Sequence, residues 1–174
     1  NYTHVLTEKL ASGELDAIII ALPYEAAETH VHPLYQEDFH LLMPAEHPWA
    51  QRKTIANTEL DADHLLLLGE GHCFRDQILE ACPHLNAQGH STMGPASSLI
   101  TLRHMVASGL GLTLVPASAI PSLTESGEVI TRPLIPAPSR KMALVWRRRF
   151  PRPQAIKALL SALDALSLSG TVKL

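Results

Sequence analysis

Residues 3–22 read THVLTEKLASGELDAIIIAL, and this stretch decides the fold class. Val5, Leu6 and Leu10 are spaced as one face of a helix, and Ser12-Gly13 offers it a stop. The run LDAIIIAL at 15–22 follows at once, and its unbroken Ile reads as a strand buried on both faces. Helix, short turn and doubly buried strand form the grammar of a parallel α/β sheet. Further along, 33–35 and 39–43 (FHLLM) suggest two short strands, and 46–50 (EHPWA) a turn. A buried strand is expected at 65–68, and a helix over 74–82 is stopped by Pro83. The helix over 97–108 is capped by Ser97 or Ser98, presents Leu99, Leu102, Val106 and Leu110, and closes at Gly109. Strands follow at 112–115, 129–135 and 142–146. A last amphipathic helix spans 154–166 with Ile156, Leu159, Leu160, Leu163 and Leu166 inward. No repeat, low-complexity tract or interdomain linker interrupts the pattern.

Composition narrows the function classes. The 174 residues are 46% apolar and 18% charged, enough for one domain or two small α/β lobes with a buried core. Nine Gly and 13 Pro are ordinary usage, which argues against disorder or a fibrous repeat. With 14 Lys plus Arg against 17 Asp plus Glu, the net charge of −3 carries no footprint for nucleic acid or an anionic membrane. No apolar run approaches a membrane span and no signal peptide opens the chain. Asn1 is not a start methionine and the first segment reads as the middle of a fold, so sequence ahead of it is expected.

The two cysteines are too few for a disulfide scaffold, and their surroundings differ. Cys73 lies in GHCFRDQ, between His72 and Arg75, at the start of an expected helix, whereas Cys82 lies near the far end of that helix. Helix N-terminal dipoles and nearby cations favour thiolate over thiol, and an accessible thiolate is what oxidants attack first. An α-helix of this length rises about 13–14 Å, whereas a disulfide needs Cα atoms about 4.4–6.8 Å apart. The sulfurs therefore meet only if the segment unwinds. Two readings stand: a redox switch, or two unrelated buried cysteines.

Other candidates are weaker. His72, Cys73, Cys82, His84 and His90 bring thiols and imidazoles together, but no C-x-x-C or H-x-x-x-H spacing supports a metal site. Arg147-Arg148-Arg149 between Trp146 and Phe150 reads as a solvated loop at a strand end. No Walker loop, G-x-G-x-x-G or G-x-S-x-G is present, so neither a metal nor an organic cofactor is expected. Ser97 and Ser98 at a helix start suit an anion, but capping explains them as well.

Three stretches carry a family resemblance. LASGELDAIIIAL (10–22), His47-Pro48 and VASGLGLTLVP (106–116) resemble elements of the effector-binding half of LysR-type transcriptional regulators. Within that family, GHCFRDQILEAC (71–82) is similar to the sensor segment of the hydrogen-peroxide-responsive activators. The resemblance implies a periplasmic-binding-protein-like effector domain of two α/β lobes joined by crossover strands. Lobe I would combine 1–36 with 145–174. Lobe II would be 37–144, with the redox-sensing segment at 71–82. Family regulators carry an N-terminal winged helix-turn-helix, a linker helix and the first strand and helix of lobe I. None of these is in this sequence, and a second pocket threonine of the family belongs to that part.

Carried over residue by residue, Cys73 matches the peroxidatic and Cys82 the resolving cysteine. Thr3, His72, Arg75, Asp76 and Arg140 match residues of the peroxide pocket. The stretch 83–94 departs from the family pattern, which leaves His84 and His90 unassigned. The implied partners are hydrogen peroxide, thiol reductants that reset the switch, a second copy of the domain (a tetramer at full length), promoter DNA through the N-terminal domain, and RNA polymerase. A cytoplasmic bacterial setting, no membrane contact and no enzymatic turnover complete the expectation. Alternatives are an effector domain answering a small metabolite between the lobes with Cys73 inert, a solute receptor, and a thiol peroxidase.

Overall fold

A computed structural model describes residues 2–85 and 96–174. The first helix, α1 (Thr3–Ser12), ends where Gly13 takes a left-handed φ of +84° and its N–H donates to the Leu10 carbonyl. Strand β1 (Ala17–Ala21) follows and turns Ile18 and Ile20 towards Leu10 of α1. Its neighbour is not a parallel strand but the antiparallel β6 (Ser139–Arg147), with Ile18 opposite Val145 and Ile20 opposite Ala143. The expected burial of both faces gives way to strict alternation, because Ile19 points to the other face and is exposed.

Strand β2 (Thr29–Pro44) replaces the two short strands expected at 33–35 and 39–43. The polar run Gln36-Glu37-Asp38 looks like a break. It continues the strand instead, because the carboxylate of buried Glu37 is paired with Arg140 and need not reach water. Beyond it come β3 (Ile55–Ala56), α2 (Cys73–Ala81), α3 (Leu99–Ala107), β4 (Thr113–Pro116), the short α4 (Ile120–Thr124) and β5 (Val129–Ile135). After β6, α5 (Pro153–Ala165) and β7 (Thr171–Lys173) end the chain. The stretch 65–68 is buried but joins only single parallel bridges, Leu65 to Leu112 and Leu68 to Ala96. The fold is thus a mixed α/β sheet of the periplasmic-binding-protein-like class, in which β3 and β5 run parallel and the other registered pairs antiparallel.

Two compact units divide the chain, residues 1–37 with 140–174, and residues 38–139. The chain passes between them twice, within β2 and at the start of β6. The second boundary falls at 139/140, ahead of 144/145, because residues 142–146 are in register with β1. The first unit has a small core around Leu10, Ile18, Ile20 and Val145. On α5 only Ile156 is buried. Leu159, and Leu166 just past the helix end, are exposed, contrary to the inward face expected for them.

The second unit has the larger core, in which Phe39, Leu42, Ile78, Leu102, Leu114 and Leu134 are wholly enclosed. In α3, Ser98 caps by accepting from the Thr101 N–H at 3.1 Å, while Leu110, expected on its inner face, lies past the helix end and is exposed. Arg103 is fixed inside the same unit, donating Nε to the Leu123 carbonyl at 2.9 Å and Nη2 to Glu128 at 2.7 Å. Among the described residues, no helix is long and apolar enough to cross a membrane.

Candidate functional site

The site is built on α2. Gly71 takes a φ of +86°, a conformation few side chains tolerate, and turns the chain so that His72 is extended as the N-cap. The His72 N–H donates to the Gly69 carbonyl at 3.3 Å, and the His72 carbonyl accepts from the Arg75 N–H at 2.9 Å. Cys73 is then the first helical residue, half-buried, and Asp76 lies exposed in the first turn. Phe74 and Ile78, one turn apart, pin the helix to the second unit. Phe74 meets Phe39 edge-on, with ring centroids 5.1 Å apart and planes at 83°.

That packing rotates Arg75 inwards as well. Arg75 is 8% exposed, and among the described residues no carboxylate forms an ion pair with it. An arginine this largely enclosed, with no paired carboxylate, favours the arrival of negative charge. It stands two residues from Cys73, at a helix N-terminus whose dipole also favours negative charge.

The far end of α2 has the opposite character. Cys82 is 0% exposed; its N–H donates to the Ile78 carbonyl at 2.9 Å and its carbonyl accepts from the Leu85 N–H at 3.0 Å. Burial pushes its thiol pKa up, which favours the neutral form. Both cysteines are free thiols. The nine-residue helix between them rises about 13 Å, more than a disulfide can span. Beyond Cys82, Pro83–Leu85 form a single 3-10 turn holding His84, whose Nε2 is buried without a partner among the described residues. His90 lies outside the described residues.

His72, Cys73, Arg75 and Asp76 are therefore brought together on one turn, with Cys82 at the other end of the same helix. Thr3 and Arg140 belong to the other unit. The Thr3 carbonyl accepts from the Thr7 hydroxyl at 2.9 Å. Arg140 donates Nε to Glu37 Oε1 at 2.8 Å, with Nη2 2.7 Å from the same oxygen. Glu37 is the residue that sequence reasoning missed. Its only signal was a carboxylate on the apolar side of a run that had to be strand on both sides of it. Its charge, after burial itself, also raises the Tyr35 pKa.

A family model described as the LysR substrate binding domain matches residues 1–167. The chain belongs to that family. As a LysR substrate-binding domain it is 39% identical over 164 residues to the DNA-binding transcriptional dual regulator OxyR of Escherichia coli strain K12, covering 94% of this chain and 53% of that protein. It thus spans about half the length of the curated relatives it matches. Among solved structures, the reduced form of the OxyR regulatory domain from Pseudomonas aeruginosa is 48% identical with a TM-score of 0.85, over 95% of this chain and 80% of that one. A reduced form of OxyR from Neisseria meningitidis is 37% identical with a TM-score of 0.92, over all of this chain and 82% of that one.

Proposed function

We propose that this domain is the peroxide sensor of a LysR-type transcriptional activator, with Cys73 as peroxidatic and Cys82 as resolving cysteine. The observation that carries the reading is the placement of two free thiols at opposite ends of one helix, one half-buried at its N-terminus two residues from a largely buried arginine and one sealed in the core. A structural disulfide pair would sit within bonding reach. A metal pair would share a face. This pair does neither.

The chemistry follows from that placement. The Cys73 thiolate attacks one peroxide oxygen, so an S–O bond forms, the O–O bond breaks, and the departing hydroxide takes a proton to leave as water. The Arg75 guanidinium and the helix N-terminus stabilise the charge that moves. Thr3, His72, Asp76 and Arg140 are assigned to orienting peroxide and its proton. The Cys73 sulfenic acid then meets the Cys82 sulfur. An S–S bond forms, the S–O bond breaks, and the hydroxide again leaves as water. One peroxide becomes two waters and two thiols become one disulfide.

Because α2 holds the sulfurs apart, the disulfide requires that helix to unwind. Closing so short a loop favours the rearranged segment by roughly 2–3 kcal/mol in the chain-entropy model, enough to bias a two-state element. Reduction by cellular thiols resets it. In the full-length bacterial regulator the rearrangement passes to a partner copy, to the N-terminal DNA-binding domains and to RNA polymerase, in the cytoplasm. One molecule of peroxide per switching event separates this sensor from a thiol peroxidase.

The test is direct. The reduced domain is given about one equivalent of peroxide, quenched by alkylation and mapped by mass spectrometry; a Cys73–Cys82 disulfide is expected within minutes. Cys73→Ser should abolish the reaction, and Cys82→Ser should stop at sulfenic acid. If neither substitution alters the product, the switch reading is lost and a metabolite-responsive domain takes its place.

A further inference from the structure

Given the assignment of Arg140 to peroxide, on which this step rests, we infer that Glu37 is a positioning residue for the same reaction: it holds the Arg140 guanidinium in the orientation that the reaction uses. Glu37 is the last residue of the first unit before the chain leaves it within β2, and Arg140 is the first after the chain returns in β6. Arg140 therefore follows in sequence directly on the unit that carries Cys73. Strands β2 and β6 are neighbours in the sheet, so the two side chains form a cross-strand pair. The Glu37 side chain is 0% exposed and that of Arg140 15%. Nε and Nη2 of Arg140 lie 2.8 and 2.7 Å from one oxygen, Glu37 Oε1. Both contacts use the Nε–Nη2 side of the guanidinium, so the carboxylate fixes its plane and the direction of its Nη1 side.

Stability alone does not account for the pair. Apolar side chains of similar volume often replace a buried ion pair without loss, whereas removing one partner costs much. What the pair supplies beyond apolar packing is a guanidinium kept at one place and in one plane. Nor does Glu37 add to the charge on offer. Its carboxylate offsets the Arg140 charge and so weakens any field that Arg140 exerts on a thiolate. If Arg140 acted by charge alone, neutralising Glu37 would speed the attack by Cys73. If the guanidinium must be held in place, neutralising Glu37 slows the attack, because small misplacements of a reacting or supporting group cost large factors in rate. The sign of the effect separates the two.

Initial rates of Cys73 oxidation by peroxide in the reduced chain, quenched by alkylation and read by mass spectrometry, test this in Glu37→Gln, Arg140→Lys and the double variant. Glu37→Gln should slow Cys73 by about tenfold. Arg140→Lys keeps the charge but loses the planar fork, and should slow Cys73 by a similar factor. The double variant should be no slower than Arg140→Lys, since Glu37 acts only through that arginine. Cys82 alkylation should stay slow in every variant, which separates misplacement from loosening of the fold. Glu37→Asp keeps the charge and draws the carboxylate back by one methylene; it takes the place of Glu37→Gln if that chain does not fold, and should slow Cys73 as well. A Glu37→Gln chain as fast as the parent or faster, Arg140→Lys at the full rate, a double variant slower than Arg140→Lys, or Cys82 alkylation that rises in step with the loss would each overturn the positioning role. A parent chain whose Cys73 is inert to peroxide would remove the sensor reading and this role together, whereas a reactive Cys73 indifferent to Glu37 removes this role alone.

Discussion

Cys73 and Cys82 bound the same helix, yet the two ends of α2 are built on opposite principles. At the N-terminal end the thiol is half-buried, a largely buried arginine is two residues away, and the helix dipole presents its positive end. At the C-terminal end the thiol is wholly enclosed, burial raises its pKa, and backbone hydrogen bonds hold the turn closed. One end is prepared for negative charge and the other excludes it. The lesson is that the difference in thiol accessibility is written into the burial of the two ends rather than into the cysteines. Cys73 can react while α2 is intact. Cys82 can react only after it opens.

The largest expected effect is on labelling. In the folded, reduced chain, iodoacetamide should modify Cys73 faster than Cys82 by about 100-fold or more, since an opening free energy of about 3 kcal/mol already imposes that factor. Quantifying both peptides by mass spectrometry over time reads the ratio. Equal rates would mean that Cys82 is not sealed and that the contrast is false.

Ile78→Ala comes next. Ile78 is buried and its carbonyl accepts from the Cys82 N–H, so it supports the closed end from both side chain and backbone. Truncation should destabilise the second unit by roughly 2–4 kcal/mol in urea unfolding. It should also narrow the labelling ratio, because Cys82 is uncovered more often while Cys73 is unaffected.

Much of this contrast was legible beforehand, because it rests on short-range features. The Cys73 to Cys82 spacing, Pro83 and the flanking His72 and Arg75 all lie within a dozen residues, and the helix bounds follow from local pattern. What stayed hidden depends on contacts far apart in sequence. The partner of Arg140 is Glu37, 103 positions away, and no local signal announces that the pair is buried. Glu37 in turn is why 33–35 and 39–43 are one strand. Ile19 and Leu159 share the failure, since periodicity shows that a residue is apolar without showing what covers it. Here Ile19 is exposed between buried Ile18 and Ile20, and Leu159 is exposed one turn from Ile156, the buried residue of its helix.

The pH dependence is a smaller effect and has a definite sign. Burial raises the folded-state pKa of Cys82 above the ordinary 9.0, so folding favours the protonated thiol. That stability is fully present below the unfolded pKa and is lost as pH rises through the folded value. Urea midpoints of the reduced chain should therefore fall above about pH 9, and Cys82→Ala, which carries no ionisable group, should flatten that limb. A midpoint that falls equally in both proteins would place the titration elsewhere.

The smallest effect tests the open end alone. Asp76 is the acidic residue of the first turn of α2, where a carboxylate stabilises the helix N-terminus by about 0.3–1 kcal/mol. The same charge lies three residues from Cys73, in the same first turn, and opposes negative charge building on its sulfur. Asp76→Asn should therefore lower stability by a few tenths of a kcal/mol while raising Cys73 alkylation about two- to fivefold. Stability and reactivity move in opposite directions only if one helix end serves both. A substitution that lowered both would show that Asp76 orders the turn around Cys73, and that positioning rather than charge governs the reactive end.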